Sequence, residues 1–183
     1  MSFTDDEIKK LWSHVDDVAF DDVLLIQCYS GWRPQELGLL ELSNVDLKNG
    51  SFIGGMKTES GTNRLVPIHS KIKHLVERRY KEAEELGSNF LFNYVEPNIQ
   101  NKNISLTYTR YKSVVYRIRD DLQLNLNHRA HDGRNHFVTM AKKFCVDEYA
   151  IKYIVGHAIK NITEKAYTDR DFSWLQTEIE KIE

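Results

Sequence analysis

Apolar residues recur at helical spacing along most of this chain, and this period constrains the fold more than any other feature. Thr4 and Glu7 have the spacing of a capping box, which predicts a first helix from Phe3-Thr4 through Val15. The more apolar segment from Val18 to Tyr29 predicts a second helix at the centre of the fold. The chain is therefore expected to build its core from packed helices.

The same spacing predicts several further helices. The third begins at Pro34, after a break at Ser30-Gly31, and is expected to run through Leu42. The later stripes are Ile72, Leu75, Val76, Tyr80 and Ala83; Tyr108, Tyr111, Val115, Ile118 and Leu122; Phe137, Met140, Ala141 and Phe144; Tyr149 to Val155; and Phe172, Leu175, Ile179 and Ile182. The last stripe has to be buried, against either its own domain or a neighbouring subunit.

On either side of the fourth predicted helix the pattern changes to that of short strands. Ser51 to Met56 and Asn63 to Ile68 predict two strands with Glu59-Ser60-Gly61 as their turn, and Phe90-Leu91-Phe92 predicts a third. The asparagine-rich segment from Asn93 to Asn103 is predicted to be a loop. The expected fold class is α+β, mostly α-helical with a small antiparallel sheet.

Length and composition indicate one domain of ordinary globular character. The chain has 183 residues, of which 41% are hydrophobic and 28% charged. It shows neither a signal sequence nor an apolar run that could span a bilayer, so we expect a cytoplasmic protein. Cys28 and Cys145 lie in apolar helical stretches and are expected to be buried free thiols. The net charge of −2 counts weakly against nucleic-acid binding.

The residues with the clearest chemical potential lie between positions 131 and 167, with two more upstream. They are His131, Arg134, His157 and Tyr167, together with Arg33 and Lys57. Guanidinium groups bind phosphate through two parallel hydrogen bonds, and a phenol among cations can act as a nucleophile. Each residue alone also fits an ordinary structural role, such as a surface pair between Arg33 and Glu36. Only the combination points to phosphate chemistry on DNA.

Four segments of the chain resemble, in order, the signature boxes of the tyrosine recombinases, with phage and transposon integrases as the nearest relatives. They are SGWRPQEL, MKTESGTNRLVPI, HDGRNHF and VGHAIKNITEKAYT. Arg33 matches the family's first arginine, Lys57 its hairpin lysine, His131 and Arg134 its H-x-x-R pair, His157 the histidine after glycine, and Tyr167 the nucleophile. The chain departs from the family at Gly133, where leucine is usual. It departs again at Asn135 and His136, where histidine and then threonine or serine are usual.

The resemblance implies a helical tyrosine-recombinase catalytic domain over 1–183, without the arm-binding and core-binding domains that precede it in the family. It implies site-specific recombination of double-stranded DNA through a 3′-phosphotyrosyl intermediate, for integration or excision of a mobile element. No metal or nucleotide cofactor is expected. The implied assembly is a tetramer on DNA, with a monomer when free, in a bacterial cytoplasm at the nucleoid.

The implied roles follow the matched positions. Tyr167 attacks the scissile phosphate, while Arg33, Arg134 and His157 bind its non-bridging oxygens. His131 accepts the tyrosine proton, and Lys57 donates one to the 5′-oxygen.

Three alternatives remain open on the sequence. A type IB-like topoisomerase would share the cleavage chemistry and rejoin the same strand. A non-catalytic DNA-binding or directionality protein would keep the fold, although it has no use for Tyr167. A small phosphohydrolase unrelated to DNA would suit the acidic net charge, although the sequence contains neither a P-loop nor a metal-site motif.

Overall fold

A computed structural model describes residues 1–56, 61–94, 104–159 and 171–183. Within these ranges the chain is mostly helical with one small sheet, which confirms the predicted fold class. The helices are α1 Asp5–Ser13, α2 Asp21–Ser30, α3 Pro34–Gly38, α4 Ser70–Leu86, α5 Tyr108–Asp121, α6 Asp132–Lys143, α7 Glu148–Val155 and α8 Phe172–Ile179, with a short 3-10 helix at Leu42–Asn44. The strands are β1 Val45–Asp46, β2 Ser51–Gly54 and β3 Arg64–Pro67.

Helix α2 is the centre of the molecule. All ten of its residues are buried, and α1, α4, α5 and α6 pack around it. It ends at Gly31, which adopts a left-handed φ of 68°. A side chain there would meet the ring of Phe137, since an ideal Cβ would lie 2.6 Å from its Cδ1 atom. Glycine therefore both ends α2 and allows α6 to approach it closely.

The capping box predicted for α1 is present. The backbone N–H of Glu7 donates to the hydroxyl of Thr4 at 3.2 Å, and the N–H of Thr4 donates to the Glu7 carboxylate at 2.9 Å. These two bonds satisfy N–H groups that have no partner inside the helix. The prediction of the start of α1 is therefore confirmed.

The third helix is shorter than predicted, because it ends at Gly38 and not at Leu42. The carbonyl of Gly38 accepts a hydrogen bond from the N–H of Leu106 at 3.1 Å. The N–H of Leu42, which would extend the helix, donates instead to the carbonyl of Asn89 at 2.9 Å. Contacts with distant segments thus end α3, and such contacts leave no local signal in the sequence.

The sheet is antiparallel with the order β1-β2-β3. The sequence predicted β2 and β3, but the strand that joins them is β1 and not the segment Phe90-Leu91-Phe92. Phe52 pairs with Val45 on one side and with Val66 on the other. The predicted strand at Phe90-Leu91-Phe92 forms only an isolated bridge, between Phe90 and Glu41. The β2 and β3 predictions are confirmed, although both strands are shorter than expected, and their predicted turn lies largely outside the described residues.

Helix α8 packs on its own domain, where it contacts β3 and α7. Three residues of its stripe are buried as predicted, since Leu175, Ile179 and the following Ile182 are each at most 5% exposed, whereas Phe172 is half-buried. The Glu178 carboxylate accepts the N–H of Asp147 at 2.8 Å and anchors α8 to the start of α7. The C-terminal segment is thus part of the core of its own subunit.

The prediction for the cysteines holds for one and is wrong for the other. Cys28 is buried in α2, whereas Cys145 is exposed and follows the end of α6 with a positive φ of 55°. The apolar residues beside Cys145 turn inward while the cysteine itself occupies the connection to α7. None of the helices in the described ranges is long and apolar enough to cross a membrane.

Candidate DNA-cleavage site

Arg33 stands at the start of α3, two residues beyond Gly31, which caps α2. Its Nη1 atom donates to Glu36 Oε1 at 2.9 Å, and its Nη2 atom donates to the carbonyl of Gly156 at 3.4 Å. Gly156 ends α7 with a left-handed φ of 68°. Carbonyls at a helix C-terminus have no partner inside the helix and carry a partial negative charge, so they attract cations. Arg33 is therefore held between two helix ends.

Arg134 lies in the first turn of α6 and is almost buried, with 8% of its surface exposed. Its Nη1 atom donates to the carbonyl of Gly31 at 2.8 Å, the residue that ends α2. The pKa of Arg134 is lowered to about 10, mainly by burial and further by the charges of Arg33 and Arg64, while the charge of Glu36 acts in the opposite direction. The group remains charged at neutral pH, in surroundings with more cations than anions.

Gly133, which departs from the family's usual leucine, has no room for a side chain. An ideal Cβ there would lie 2.4 Å from Oε1 of the buried Gln27 in α2. His136, the other large departure, is buried where its Nδ1 atom contacts the carbonyl of Phe3 at 3.3 Å. Both departures are absorbed by packing against α2 and the N-terminal segment. Arg134 keeps its anchor at Gly31.

His157 is the residue that follows the glycine at the end of α7. Its Nε2 atom lies 3.1 Å from Nη2 of Arg134. A guanidinium can only donate, so Nε2 is the acceptor and the neutral ring carries its proton on Nδ1. Burial and the charges of Arg134, Arg33 and Arg64 lower the pKa of His157 below its usual value. At neutral pH it is therefore an uncharged donor beside two cations.

His131 precedes α6 and faces a cavity of about 220 Å³. Arg33, Glu36, Met56 and Tyr108 also line this cavity. The rings of His131 and Tyr108 have centroids 6.2 Å apart, which places the start of α5 beside the start of α6. His131 and Arg33 thus line the same cavity.

A buried ion pair lies beneath these residues. Arg64 in β3 donates from Nη2 to Glu36 Oε2 at 2.8 Å, and the two side chains are 1% and 2% exposed. The guanidinium of Arg64 also lies over the ring of Trp32, 4.1 Å from its centroid. Glu36 is thus shared by Arg64 and Arg33. Burial alone would raise the pKa of the Glu36 carboxyl, but the bonds and charge of Arg64, the N–H of Met56 and Arg33 hold it below its usual value.

Four of the six predicted site residues thus lie close together, and the other two are not described. Arg33, Arg134 and His157 form one cluster, and His131 lines the same cavity as Arg33. Lys57 and Tyr167 lie outside the described residues. Among the residues that are described, no three His, Cys, Asp or Glu side chains could hold a metal ion. The cluster formed by Arg33, Arg134 and His157 is cationic.

Arg64 was missed by the sequence analysis, although the pattern held a signal for it. Side chains alternate between the two faces of a strand, so Arg64 lies on the same face of β3 as the fully buried Val66, whereas Leu65 lies on the other face. A charged residue on the inward face of a strand requires a partner, because an unpaired buried charge is very costly. The inward position therefore indicated an ion pair, but not that Glu36 would supply it.

Comparison with known proteins identifies the family. The sequence profile of the phage integrase family matches residues 2–173. The chain belongs to this family. The resemblance to tyrosine recombinases read from the four sequence segments is thereby confirmed.

Other members of the phage integrase family are similar over almost the whole chain. The tyrosine recombinase XerA of Pyrococcus horikoshii is 29% identical over 180 residues, which cover 98% of this chain. The crystal structure of XerA recombinase superposes with a TM-score of 0.72 at 20% identity, over 97% of this chain and 63% of that one. The Tn1549 transposon integrase, in complex with circular intermediate DNA, gives 0.70 at 20% identity, over 98% and 64%.

The chain spans only part of these phage integrase family relatives. It covers 60% of the length of the Pyrococcus protein. A lambda integrase dimer bound to a COC′ core site matches with a TM-score of 0.65 at 15% identity, over 94% of this chain and 49% of the integrase. At these identities the solved structures establish the shared fold.

Proposed function

We propose that this chain is the catalytic domain of a site-specific DNA recombinase that cleaves and rejoins strands through a 3′-phosphotyrosyl intermediate. The observation that carries the proposal is the meeting of Arg33, Arg134 and His157, which come from three different elements. Family membership gives the reaction class, and the cationic cluster gives the phosphate a place to bind.

The three clustered side chains bind the non-bridging oxygens of the scissile phosphate. Negative charge grows on these oxygens as the fifth bond to phosphorus forms, so donors fixed in advance stabilise the transition state most. Arg33 is fixed by Glu36 and Gly156, and Arg134 by Gly31. His157 adds the proton on Nδ1, which its contact with Arg134 leaves available for donation.

Tyr167 is the nucleophile in this mechanism, and its oxygen bonds to phosphorus as the bond to the 5′-oxygen of the DNA breaks. His131 accepts the phenol proton, and Lys57 donates a proton to the departing 5′-oxygen. The phosphotyrosyl ester conserves the energy of the broken bond. Attack by a 5′-hydroxyl from another strand then releases the tyrosine and completes the exchange.

The biological reaction is integration or excision of a mobile element, carried out by a tetramer on double-stranded DNA. Relatives solved with DNA support a DNA partner, since both the Tn1549 integrase and the lambda integrase were bound to DNA. In such an assembly two duplexes are held together while strands are exchanged. The resemblance between this chain and those integrases is the support for extending that arrangement here.

The test is the formation of a covalent protein–DNA adduct. The chain is incubated with a nicked suicide duplex, from which the short fragment that carries the released 5′-hydroxyl diffuses away, and the products are separated under denaturing conditions. We expect a shifted band with the wild type, none with Tyr167→Phe, and a band weaker by about 10²–10³-fold with Arg134→Ala, because a donor to the developing charge is lost.

Thr177→Ala, on the exposed face of α8, is the control for handling and folding. The proposal fails if the wild type forms no adduct on any duplex, or if Tyr167→Phe still forms one. Adduct formation followed only by relaxation of supercoiled DNA, with no exchange between duplexes, would support the topoisomerase alternative.

A further inference from the structure

We propose that Arg64 is a positioning residue that sets the orientation of Arg33 through their shared partner Glu36, an inference that rests on the proposed function. Arg64 does not reach the cavity beside His131, and its side chain is 1% exposed. Its effect on the reaction therefore passes through the residues it holds.

Arg64 joins three parts of the site with three directed hydrogen bonds. Its Nη2 atom donates to Glu36 Oε2 at 2.8 Å, its Nε atom to the carbonyl of Ile154 at 2.8 Å, and its Nη1 atom to the carbonyl of Gly61 at 2.8 Å. Ile154 is in the last turn of α7, the helix whose end also holds Arg33. The planar guanidinium fixes the directions of all three bonds at once.

Glu36 carries this constraint to Arg33. Its Oε2 atom accepts from Arg64 and from the backbone N–H of Arg33 at 3.3 Å, and its Oε1 atom accepts from Nη1 of Arg33 at 2.9 Å and from the N–H of Met56 at 3.0 Å. Each carboxylate oxygen thus has a defined partner, and the plane of the carboxylate cannot rotate without breaking a bond. Arg33 is oriented because the carboxylate that it contacts is itself fixed.

The same bonds reach the hairpin. Met56 and Gly61 are the residues on either side of 57–60, and they are tied to Glu36 and Arg64 respectively. Gly156 packs against Arg64 and Gly61, since an ideal Cβ at Gly156 would lie 3.1 Å from Nη1 of Arg64 and 3.1 Å from the Cα of Gly61. The Arg64–Glu36 pair thus links α3, the two ends of the hairpin and the end of α7.

Lysine cannot replace Arg64 in this arrangement. Its ammonium is a compact charge at the end of a flexible stem, and it lacks the planar fork that meets three acceptors in one plane. In Arg64→Lys the charge opposite Glu36 is kept, while the carbonyls of Gly61 and Ile154 cannot both keep their donor. The carboxylate of Glu36 then gains freedom to turn, and Arg33 turns with it.

The first experiment observes Arg33 without DNA, using the guanidinium N–H resonances of the full chain in NMR spectra. In the wild type, bonds to Glu36 and Gly156 hold the group and give resolved signals. In Arg64→Lys we expect the Arg33 signals to merge towards the position of a freely rotating guanidinium. Arg79→Lys is the matched control. Arg79 also pairs with a buried carboxylate, that of Asp22, but it belongs to α4 and not to the site.

The second experiment measures adduct formation on two suicide duplexes, one with a normal scissile phosphate and one with an uncharged methylphosphonate. A guanidinium that neutralises phosphate charge matters less when that charge is absent. We expect Arg64→Lys to slow cleavage of the phosphodiester by about tenfold or more, and the methylphosphonate far less, as for Arg33→Lys. A general loss of structure would slow both equally.

Unchanged Arg33 signals in Arg64→Lys, or equal rate losses on the two duplexes, would overturn the role of Arg64. If the wild type forms no adduct, the proposed function fails, yet the NMR comparison still decides whether Arg64 orients Arg33. If Arg64→Lys does not melt cooperatively, Arg64→Gln, which keeps Glu36 in place, replaces it in both experiments with the same expected results.

Discussion

Asp21 is a buried carboxyl whose two oxygens find no hydrogen-bond partner among the described residues. It lies in the first turn of α2 with no exposed surface. Burial, and then the charge of Asp22, raises the pKa of its carboxyl to about 8. Asp22 beside it is equally buried but accepts bonds from Arg78 and Arg79. The two neighbours therefore have opposite effects on stability.

We expect Asp21→Asn to stabilise the protein, and to do so more as the pH rises. The folded protein retains the proton of Asp21 up to about pH 8, whereas the unfolded chain loses it near the ordinary value of 3.8. The stability of the wild type therefore falls between these two values and levels off above them. The advantage of asparagine should grow by roughly 2–4 kcal/mol between pH 5 and pH 9.

Urea unfolding at pH 5 and pH 9 measures this difference. Asp22→Asn serves as the comparison, and it should destabilise the protein at both pH values because it removes the buried carboxylate that Arg78 and Arg79 share. An advantage for Asp21→Asn that is independent of pH would mean that Asp21 is ionised in the folded state.

At His157 we expect an NMR titration to give a pKa below 6.5 in the free protein. Burial and the charges of Arg134, Arg33 and Arg64 all disfavour the imidazolium. Arg134→Gln removes the nearest of these charges, so it should move the pKa of His157 back towards 6.5. Arg119→Gln, on the distant surface of α5, should leave it unchanged. A pKa above 6.5 in the wild type would contradict the contact with Arg134.

At the scale of the elements, the packing of α8 on its own domain allows a specific prediction about stability. Ile179 is fully buried in the contact of α8 with β3 and α7. We expect Ile179→Ala to cost about 2–5 kcal/mol of unfolding free energy, the usual range for truncating a buried isoleucine. Thermal melting of the free chain checks this, with the exposed Thr177→Ala expected within about 0.5 kcal/mol of the wild type.

A loss below about 0.5 kcal/mol for Ile179→Ala would mean that α8 is detached from its own domain in solution. The helix would then be free to pack on a neighbouring subunit.

Residues whose role is local were the ones predictable from sequence. The Thr4–Glu7 capping box, the stop at Gly31 and the α4 stripe all depend on neighbours within one or two turns. The end of α3 and the identity of β1 depend on segments far away in the chain, such as Leu106 and Phe52. Local periodicity does not contain that information.

The candidate site divides in the same way. The matched motifs gave Arg33, His131, Arg134 and His157, and the folded chain brings these together. The carbonyls of Gly31 and Gly156, which hold the two arginines, are backbone groups that any residue carries. Their role depends on where two helices end relative to a third, which residue types alone do not specify.

At the scale of the whole molecule, an acidic net charge is compatible with a cationic cluster, because the net charge is a sum over the whole chain and the cluster is local. The chain has 25 basic and 27 acidic side chains, excluding histidine. Three acidic residues occupy the first turn of α1, whereas Arg33, Arg134 and His157 meet at the ends of α2 and α7. Binding to a polyanion depends on the local charge near the contact more than on the total.

We therefore expect the chain to bind duplex DNA with a steep dependence on salt. Each phosphate contact releases counterions, so a plot of log affinity against log salt should have a slope of about −0.9 per contact. Arg33→Ala should reduce the magnitude of that slope by about one contact, while Arg79→Ala should not change it. Fluorescence anisotropy over a salt series measures both, and absence of binding at low salt would contradict the proposed partner.

The end of α7 makes the site sensitive to the number of residues in a helix. The carbonyls of Ile154 and Gly156 hold Arg64 and Arg33, which belong to other elements. One residue added inside α7 would shift these carbonyls by about 1.5 Å and turn them by about 100° around the axis. Both arginines would lose their acceptors although every side chain was still present. Substitution of an exposed residue of α7 would therefore leave the site intact, whereas insertion of one would not.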